Sequence, residues 1–367
     1  MKLHLILPCI ALFGACFAEA VAKVACVGDS ISFGSGLGAN DLRYPQVLAQ
    51  LLGDQFEVKN FGNPGKTAGD FPSQKSIGRW YGDTKEYKDS LDYKADIYIC
   101  NLGINDTGAW WNPQQFEAGF EALNKGWKQA NPKAKLYAWG LLGPDFRGQQ
   151  NKKAFPGNVF APEFQFSTRD NGSAANREAA EKLIEKVYRP YGGAFLLLDA
   201  YSSPSTHPEW YKDGLHPTAP GAKRIAEITF AKLASTLHIP MPTPKMKADA
   251  KSVTISNPGK MAILLDYWSL VSPKTKECYS FRDSTVIPPQ GEISISLDPD
   301  AEKDENNPTR EFIYMTKAKG TDLKLRPAPK GAGRTNGFPI LRRSDDKETH
   351  TYPPILLYLP IFNTRQL

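Results

Sequence analysis

The sequence predicts an α/β protein with a doubly wound parallel sheet, followed by a small all-β domain. Between residues 21 and 238, short apolar runs alternate with longer amphipathic segments, which is the pattern of strands joined by helical crossovers. After a proline-rich linker predicted at 239–250, the apolar runs become short and are separated by turn residues. We therefore expect a larger domain at 21–238 and a β-rich accessory domain at 251–367.

Strands buried in a parallel sheet are near-continuous apolar runs, whereas helices show apolar residues at a period of 3.6. By these criteria, strands are predicted at Lys23–Val27, Phe56–Phe61, Ala95–Leu102, Lys135–Leu141 and Ala194–Leu198. Helices are predicted at Tyr44–Leu52, Phe116–Gln129, Ala174–Tyr188 and Pro220–Leu237. In the second domain, β-type runs are predicted at Val253–Gly259, Met261–Leu265, Glu292–Leu297 and Phe312–Met315.

Residues 1–20 have the pattern of a secretory signal peptide. Lys2 is followed by the apolar run Leu3–Phe17 and by a small-x-small end at Ala18–Ala20. The mature protein is therefore expected to be secreted, periplasmic or at the cell surface. An alternative interpretation makes Cys16 the lipidated residue of an imperfect bacterial lipoprotein site, which would anchor the protein by a lipid. No later stretch reaches the ~20 apolar residues of a transmembrane helix.

Composition excludes several other classes of protein. Hydrophobic residues make up 41% of the 367 residues and charged residues 23%, which is typical of a folded globular chain. A net charge of +6, from 45 basic and 39 acidic residues, is too balanced for a nucleic-acid-binding surface. After the leader only Cys26, Cys100 and Cys278 remain, which is too few for a disulfide framework. No Cys or His spacing indicates a zinc site, and no metal is expected.

The residues that can carry chemistry follow the predicted strands, where the ligand of a doubly wound sheet lies. Ser30 follows the first strand, Gly62 the second and Asn105 the third, and His216 precedes the last helix. A serine hydroxyl becomes a good nucleophile when a base removes its proton and a carboxylate orients that base. Ser30, His216 and Asp213 supply these three parts. An oxyanion formed on attack could be bound by the backbone N–H groups of Ser30 and Gly62 and by the Asn105 carboxamide.

These blocks closely resemble those of the GDSL or SGNH hydrolases, a family named for Ser, Gly, Asn and His in four blocks. The matching residues are Gly28-Asp29-Ser30, Gly62, Gly103-x-Asn105-Asp106 and Asp213-x-x-His216, with Ile31 where the named pattern has Leu. The resemblance covers about residues 22–237 and implies a flavodoxin-like sheet. It implies Ser30 as nucleophile, His216 as base and Asp213 as its orienting acid, with Gly62 and Asn105 as oxyanion donors. It also implies an acyl-enzyme mechanism that needs no metal or organic cofactor.

Competing assignments exist for three of these segments. His207, which is also followed by proline, is the alternative base, but it has no acid three residues earlier. The segment Gly62–Thr67 imitates a phosphate-binding loop, yet Asn60 stands where that motif requires glycine. The glycine-rich segment Gly34–Gly38 lacks the dinucleotide fingerprint and is interpreted as a loop at the rim of the site.

The substrate is expected to be an ester of a small molecule or a polysaccharide. Trp110 and Trp111 lie five and six residues after Asn105, where a ring could form a platform for a sugar, or could pack beneath the loops. The Ser30 block and the segment Tyr44–Leu48 resemble secreted bacterial members grouped with sialate O-acetylesterases and acetylxylan esterases. That resemblance implies an O-acetylated carbohydrate.

Two other functions fit the same residues. One is a broad short-chain carboxylesterase, thioesterase or lysophospholipase. The other is a non-catalytic surface or carbohydrate-binding protein on the same scaffold. The segments Val253–Gly259, Leu265–Leu270 and Ile287–Gly291 resemble the lamin-tail type of immunoglobulin-like domain, which implies either a binding accessory or a domain that only packs against the enzyme.

Overall fold

The structure is a computed structural model that describes residues 21–108, 110–141, 173–195, 208–212, 215–266, 268–274, 278–281, 284–296 and 322–327. The predicted signal peptide with Cys16 lies outside the described residues, as do His207, Asp213 and the run Phe312–Met315. Within the described ranges, no helix combines the length and the apolar character needed to cross a bilayer.

The first part of the chain forms a parallel five-stranded sheet with helices, which confirms the predicted α/β class. Its strands are β1 (Ala22–Gly28), β2 (Phe56–Gly62), β3 (Ile97–Asn101), β4 (Lys135–Trp139) and β5 (Gly193–Phe195), in the order β2-β1-β3-β4-β5. Its helices are α1 (Ser30–Phe33), α2 (Tyr44–Leu52), α3 (Lys85–Tyr93), α4 (Pro113–Ala130), α5 (Ser173–Tyr188) and α6 (Ala219–Leu237). The parallel pairing places the carboxyl ends of β1, β2 and β3 at one edge.

The central strand β1 determines how closely these ends approach each other. Gly28 pairs with Gly62 on one side and with Asn101 on the other. A Cβ atom at position 28 would lie 2.5 Å from Ser32 Oγ and 3.0 Å from Asn101 Cβ, so a larger residue cannot fit there without displacing its neighbours. Glycine at the end of β1 therefore allows the next turn to pack directly on β3.

Helices bury both faces of the sheet. Val24 and Cys26 of β1 belong to one buried cluster together with α2 and α6, whereas Ala25 and Val27 belong to a second cluster with α4 and α5. Cys26 and Cys100 are buried free thiols, and burial raises the pKa of each to about 12. They therefore fill space as neutral side chains, as expected from their apolar surroundings.

One crossover helix was missed by the sequence pattern. Helix α3 buries only Ser90 and Tyr93, and its remaining residues are mostly polar, so no apolar stripe marks it. Its start does carry a signal, because the Thr84 hydroxyl accepts a hydrogen bond from Tyr87 N at 3.1 Å and caps the helix.

The last part of the chain is built from short antiparallel strands, consistent with a small β domain. They are β6 (Lys245–Ala248), β7 (Ser252–Ser256), β8 (Ile263–Leu264), β9 (Trp268–Val271), β10 (Cys278–Ser280), β11 (Val286–Ile287), β12 (Glu292–Ser296) and β13 (Lys324–Pro327). Strand β6 lies inside the predicted linker 239–250 and pairs with β7. The proline run ends at Pro244, so the backbone N–H groups that follow are free to join a sheet.

The β domain shares buried surface with the α/β domain. Ala262 and Leu264 belong to the same buried cluster as α2 and α6. Ala262 N donates a hydrogen bond to Leu51 O at 2.8 Å, and Arg224 Nη1 on α6 donates to Ser284 O at 2.8 Å. The β domain therefore contacts both helices and shares their buried core.

Candidate active site

The predicted nucleophile lies on a sharp turn between β1 and α1. Asp29 caps α1, and its Oδ1 accepts a hydrogen bond from Ile31 N at 3.0 Å. The four-residue helix ends at Gly34, whose φ of 91° is in the left-handed region that favours glycine. Ser30 is 9% exposed, so its hydroxyl lies at the sheet edge in a largely dehydrated position.

The structure places His216 beside Ser30, with Nε2 3.0 Å from Ser30 Oγ. The turn that carries His216 is closed by Lys212 N, which donates to His216 O at 2.8 Å, directly before α6. A Cβ at Gly36 would lie 3.2 Å from His216 Cβ, so the glycine-rich loop contacts this residue as expected of a rim loop. The distance between the serine oxygen and the imidazole suits proton transfer.

The two remaining candidates for the base system lie outside the described residues. Asp213, the predicted orienting acid, and His207, the alternative base, are among the residues that the structure does not describe. The role of Asp213 therefore stays a prediction. The described geometry already pairs Ser30 with His216.

Asn105, the predicted carboxamide donor, lies in a short 3₁₀ turn after β3. Its Nδ2 donates to the carbonyl oxygen of Lys66 at 3.0 Å and to Asp29 Oδ2 at 3.3 Å. Because Asp29 precedes Ser30 in the chain, these contacts hold the Asn105 amide next to the nucleophile turn.

Gly62, the other predicted oxyanion donor, is the last residue of β2. Its N–H donates to Asn60 Oδ1 at 2.9 Å, so it is already engaged in a hydrogen bond. A Cβ on Gly62 would lie 2.6 Å from the carbonyl carbon of Ser32, so this glycine allows β2 to pack closely on α1. The role of Gly62 as an oxyanion donor stays a prediction; β2 ends at this residue, and the turn that follows it extends further.

Gly65 lies in that turn and was not singled out by the sequence. Its φ is 74°, and a Cβ placed there would meet no atom within 4 Å, so this position faces open space. The next residue is Lys66, whose carbonyl accepts from Asn105. The turn residues Asn63-Pro64-Gly65 were the available signal, since they favour a left-handed position at the glycine.

Two fully buried carboxyl groups flank this region. Asp106 accepts hydrogen bonds from Ala68 N at 3.1 Å and from Gly69 N at 2.8 Å, and thereby holds the loop that follows Lys66. Burial raises the pKa of Asp29 and of Asp106 to about 7. The Ile31 N–H and the charge of His216 oppose this rise at Asp29. Asp106 belongs to the motif Gly103-x-Asn105-Asp106, but the motif alone predicted no role for it.

The two candidate substrate-binding rings make packing contacts. Trp111 is half-buried and packs on Phe116 with ring centroids 4.9 Å apart. Trp110 is also half-buried, and the guanidinium of Arg79 lies 4.8 Å from its ring centroid. The described contacts explain both rings as part of the packing beneath the loops, and a contact with substrate stays a prediction.

Comparison with known proteins identifies the family. The profile of the GDSL-like lipase/acylhydrolase family matches residues 26–224, which is more than half of the chain. The chain belongs to this family. This GDSL hydrolase is therefore an enzyme of the ester-hydrolysing class, as the sequence predicted.

A curated relative is the acetylxylan esterase of Xylanibacter ruminicola, which is 29% identical over 231 residues. The match covers 59% of this chain and 44% of the relative, so the GDSL hydrolase spans less than half of that protein.

Two solved structures are similar to part of the chain. The aryl esterase of M. smegmatis is 19% identical with a TM-score of 0.42, and the match covers 59% of this chain and 99% of that one. A family two carbohydrate esterase from Clostridium thermocellum, solved in complex with cellohexaose, is 15% identical with a TM-score of 0.40. That match covers 60% of this chain and 66% of the esterase.

Proposed function

We propose that this GDSL hydrolase is a secreted serine esterase that removes O-acetyl groups from carbohydrates through an acyl-enzyme. The observation that carries the proposal is the 3.0 Å distance between Ser30 Oγ and His216 Nε2 at the carboxyl edge of the parallel sheet. A hydroxyl and an imidazole in this arrangement form an activated nucleophile.

In the proposed reaction, Ser30 Oγ attacks the ester carbonyl carbon and His216 Nε2 accepts the hydroxyl proton. The negative charge that develops on the carbonyl oxygen is stabilised by the Ser30 N–H and by the Asn105 Nδ2 group, which exchanges its contact with the Lys66 carbonyl for one with this oxygen. The Gly65 N–H is proposed as a further donor for this oxygen, since Gly65 directly precedes Lys66, whose carbonyl contacts Asn105. His216 then protonates the departing alcohol.

Water completes the cycle by attacking the acyl-enzyme, with His216 acting as base for the water proton and Ser30 as the leaving group. Asp213 is proposed to orient the His216 ring and to stabilise its charged form. Each donor to the oxyanion contributes ~2.7–4 kcal/mol of transition-state stabilisation in comparable enzymes.

The proposed substrate class is supported by the acetylxylan esterase relative and by the sequence resemblance to carbohydrate O-acetylesterases. Secretion is supported by the leader-like residues 1–20. The alternatives are a broad short-chain carboxylesterase, thioesterase or lysophospholipase, and a binding protein without catalysis.

Acetate release separates these functions. The purified protein is incubated with acetylated xylan, with O-acetylated sialic acid and with p-nitrophenyl acetate, and Ser30→Ala is the matched control. Acetate that is released from a saccharide and absent with Ser30→Ala supports the full proposal. Cleavage of p-nitrophenyl acetate alone would contradict the carbohydrate substrate, and no turnover of any ester would contradict catalysis.

A further inference from the structure

We infer that Asp29 is a positioning residue that fixes the orientation of the Asn105 carboxamide, so that its NH₂ end, rather than its oxygen end, lies beside the nucleophile turn. The inference rests on the proposed function, because it assumes that Asn105 is an oxyanion donor. The contact that carries it joins Asn105 Nδ2 and Asp29 Oδ2 over 3.3 Å.

A carboxamide has two nearly isosteric ends, and only one of them can stabilise an anion. The NH₂ end donates two hydrogen bonds, whereas the oxygen end only accepts them and would repel an oxyanion. In this site the Asn105 NH₂ group faces two oxygens, the Lys66 carbonyl and the Asp29 carboxylate. Rotation of the amide would bring its oxygen against both acceptors, so the pair selects the productive orientation.

Asp29 can impose this orientation because it is itself held firmly. Its other oxygen, Oδ1, accepts from Ile31 N at 3.0 Å and from Asn101 Nδ2 at 3.4 Å. The side chain is fully buried, so water does not compete for these contacts. The Asp29 carboxylate therefore makes two contacts at the site: it caps the helix that begins at Ser30, and it accepts a hydrogen bond from the Asn105 amide.

The substitution Asp29→Asn tests this arrangement because it keeps the shape and removes one acceptor. The new carboxamide must turn its NH₂ group either to the Asn105 amide or to the Ile31 N–H. In both cases a donor faces a donor at a buried position, which is unfavourable. If the acceptor is lost on the Oδ2 side, Asn105 is free to rotate.

A double-mutant cycle distinguishes positioning from general damage to the fold. The turnover of p-nitrophenyl acetate is measured for the wild type, Asp29→Asn, Asn105→Ala and the double variant, with thermal unfolding recorded for each. Asn105→Ala should lower kcat by ~10²–10³-fold. Asp29→Asn should lower kcat by about 10- to 100-fold with a smaller change in KM. In the Asn105→Ala background, Asp29→Asn should have almost no further effect, because no carboxamide remains to be oriented.

The inference is overturned if Asp29→Asn lowers kcat by the same factor in both backgrounds, or leaves it at the wild-type value. If Asp29→Asn does not fold, Asp29→Ser replaces it in the double-mutant cycle. Serine caps a helix as well as aspartate does, but its hydroxyl is too short to reach the Asn105 amide. It should give the same non-additive pattern. Wild-type kcat in Asn105→Ala would instead overturn the oxyanion role itself, and with it the premise of this inference.

Discussion

The sharpest test of how the scaffold holds the site is Gly119→Ala in the middle of α4. A Cβ at this position would lie 2.8 Å from Gly69 Cα and closer still to the carbonyl oxygen of Ala68. Carbon atoms in contact normally lie ~3.5–4.0 Å apart, so the helix and the loop must separate by roughly 0.7 Å or more. Gly119 therefore marks a point where two backbones touch.

The loop cannot yield freely, because it is held from its other side. Asp106 accepts hydrogen bonds from Ala68 N and Gly69 N, and Ala68 O accepts from Trp80 Nε1 at 3.1 Å. A shift of this loop reaches Lys66, whose carbonyl orients Asn105. Misplacement by ~1 Å can lower a rate by ~10²-fold, so we expect kcat to fall by about that factor. Overpacking should also reduce the free energy of unfolding by ~1–3 kcal/mol.

Gly126→Ala is the matched control on the same helix. Both substitutions carry the same helix-propensity gain of ~1 kcal/mol, but a Cβ at position 126 meets the hydroxyl end of the Tyr87 side chain on α3 rather than the backbone of the loop at Ala68 and Gly69. Gly126→Ala should leave kcat unchanged. For both variants, kcat is measured by steady-state kinetics and the free energy of unfolding by urea denaturation. Wild-type kcat in Gly119→Ala, or equal losses in both variants, would refute the reasoning.

Two further predictions concern stability. Burial raises the pKa of Asp106 to about 7. Between about pH 4 and pH 7, Asp106 therefore keeps a proton in the folded protein that it loses in the unfolded chain. As a result, the free energy of unfolding falls as the pH rises through this range. In Asp106→Asn, the free energy of unfolding measured with urea should fall less steeply between about pH 4 and 7. Some pH dependence should remain, because burial also raises the pKa of Asp29. The same pH dependence in the variant and the wild type would contradict this prediction. Leu264→Ala should lower the free energy of unfolding by ~2–5 kcal/mol, because Leu264 is 1% exposed in the cluster shared with α2 and α6. Esterase activity should then be lost at a lower temperature, and an unchanged inactivation temperature would show that the two domains are independent.

The sheet was predictable because β1, β3 and β4 are largely apolar runs and the edge strand β2 begins with alternating apolar and polar residues. Helix ends with strong local signals were predictable as well. Helix α2 has the predicted bounds, Tyr44–Leu52, since Pro45 occupies its first turn and Gly53 follows its last residue. Helix α3 has no apolar stripe and was not found. The shared core of the two domains could not be predicted, because short apolar strands do not show which surface they cover.

The choice between Gly62 and Gly65 shows a limit of motif spacing. Both glycines follow the same apolar run, and the sequence does not show how far β2 continues along β1. Pairing with Gly28 extends β2 to Gly62 and turns its N–H towards Asn60. The turn that approaches Asn105 therefore starts later, where Asn63-Pro64-Gly65 are the sequence signal and Gly65 adopts a left-handed φ.

Asp29 illustrates how one residue can serve a local and a long-range purpose at once. As a helix cap next to the serine it is recognisable from sequence, because aspartate commonly accepts hydrogen bonds from the first turn of a helix. Its second oxygen contacts Asn105, 76 residues later, and only the meeting of β1 and β3 at the sheet edge creates that contact. A substitution that removes only the cap should therefore lower the stability of α1. A substitution that removes only the contact with Asn105 should instead lower the rate of ester hydrolysis.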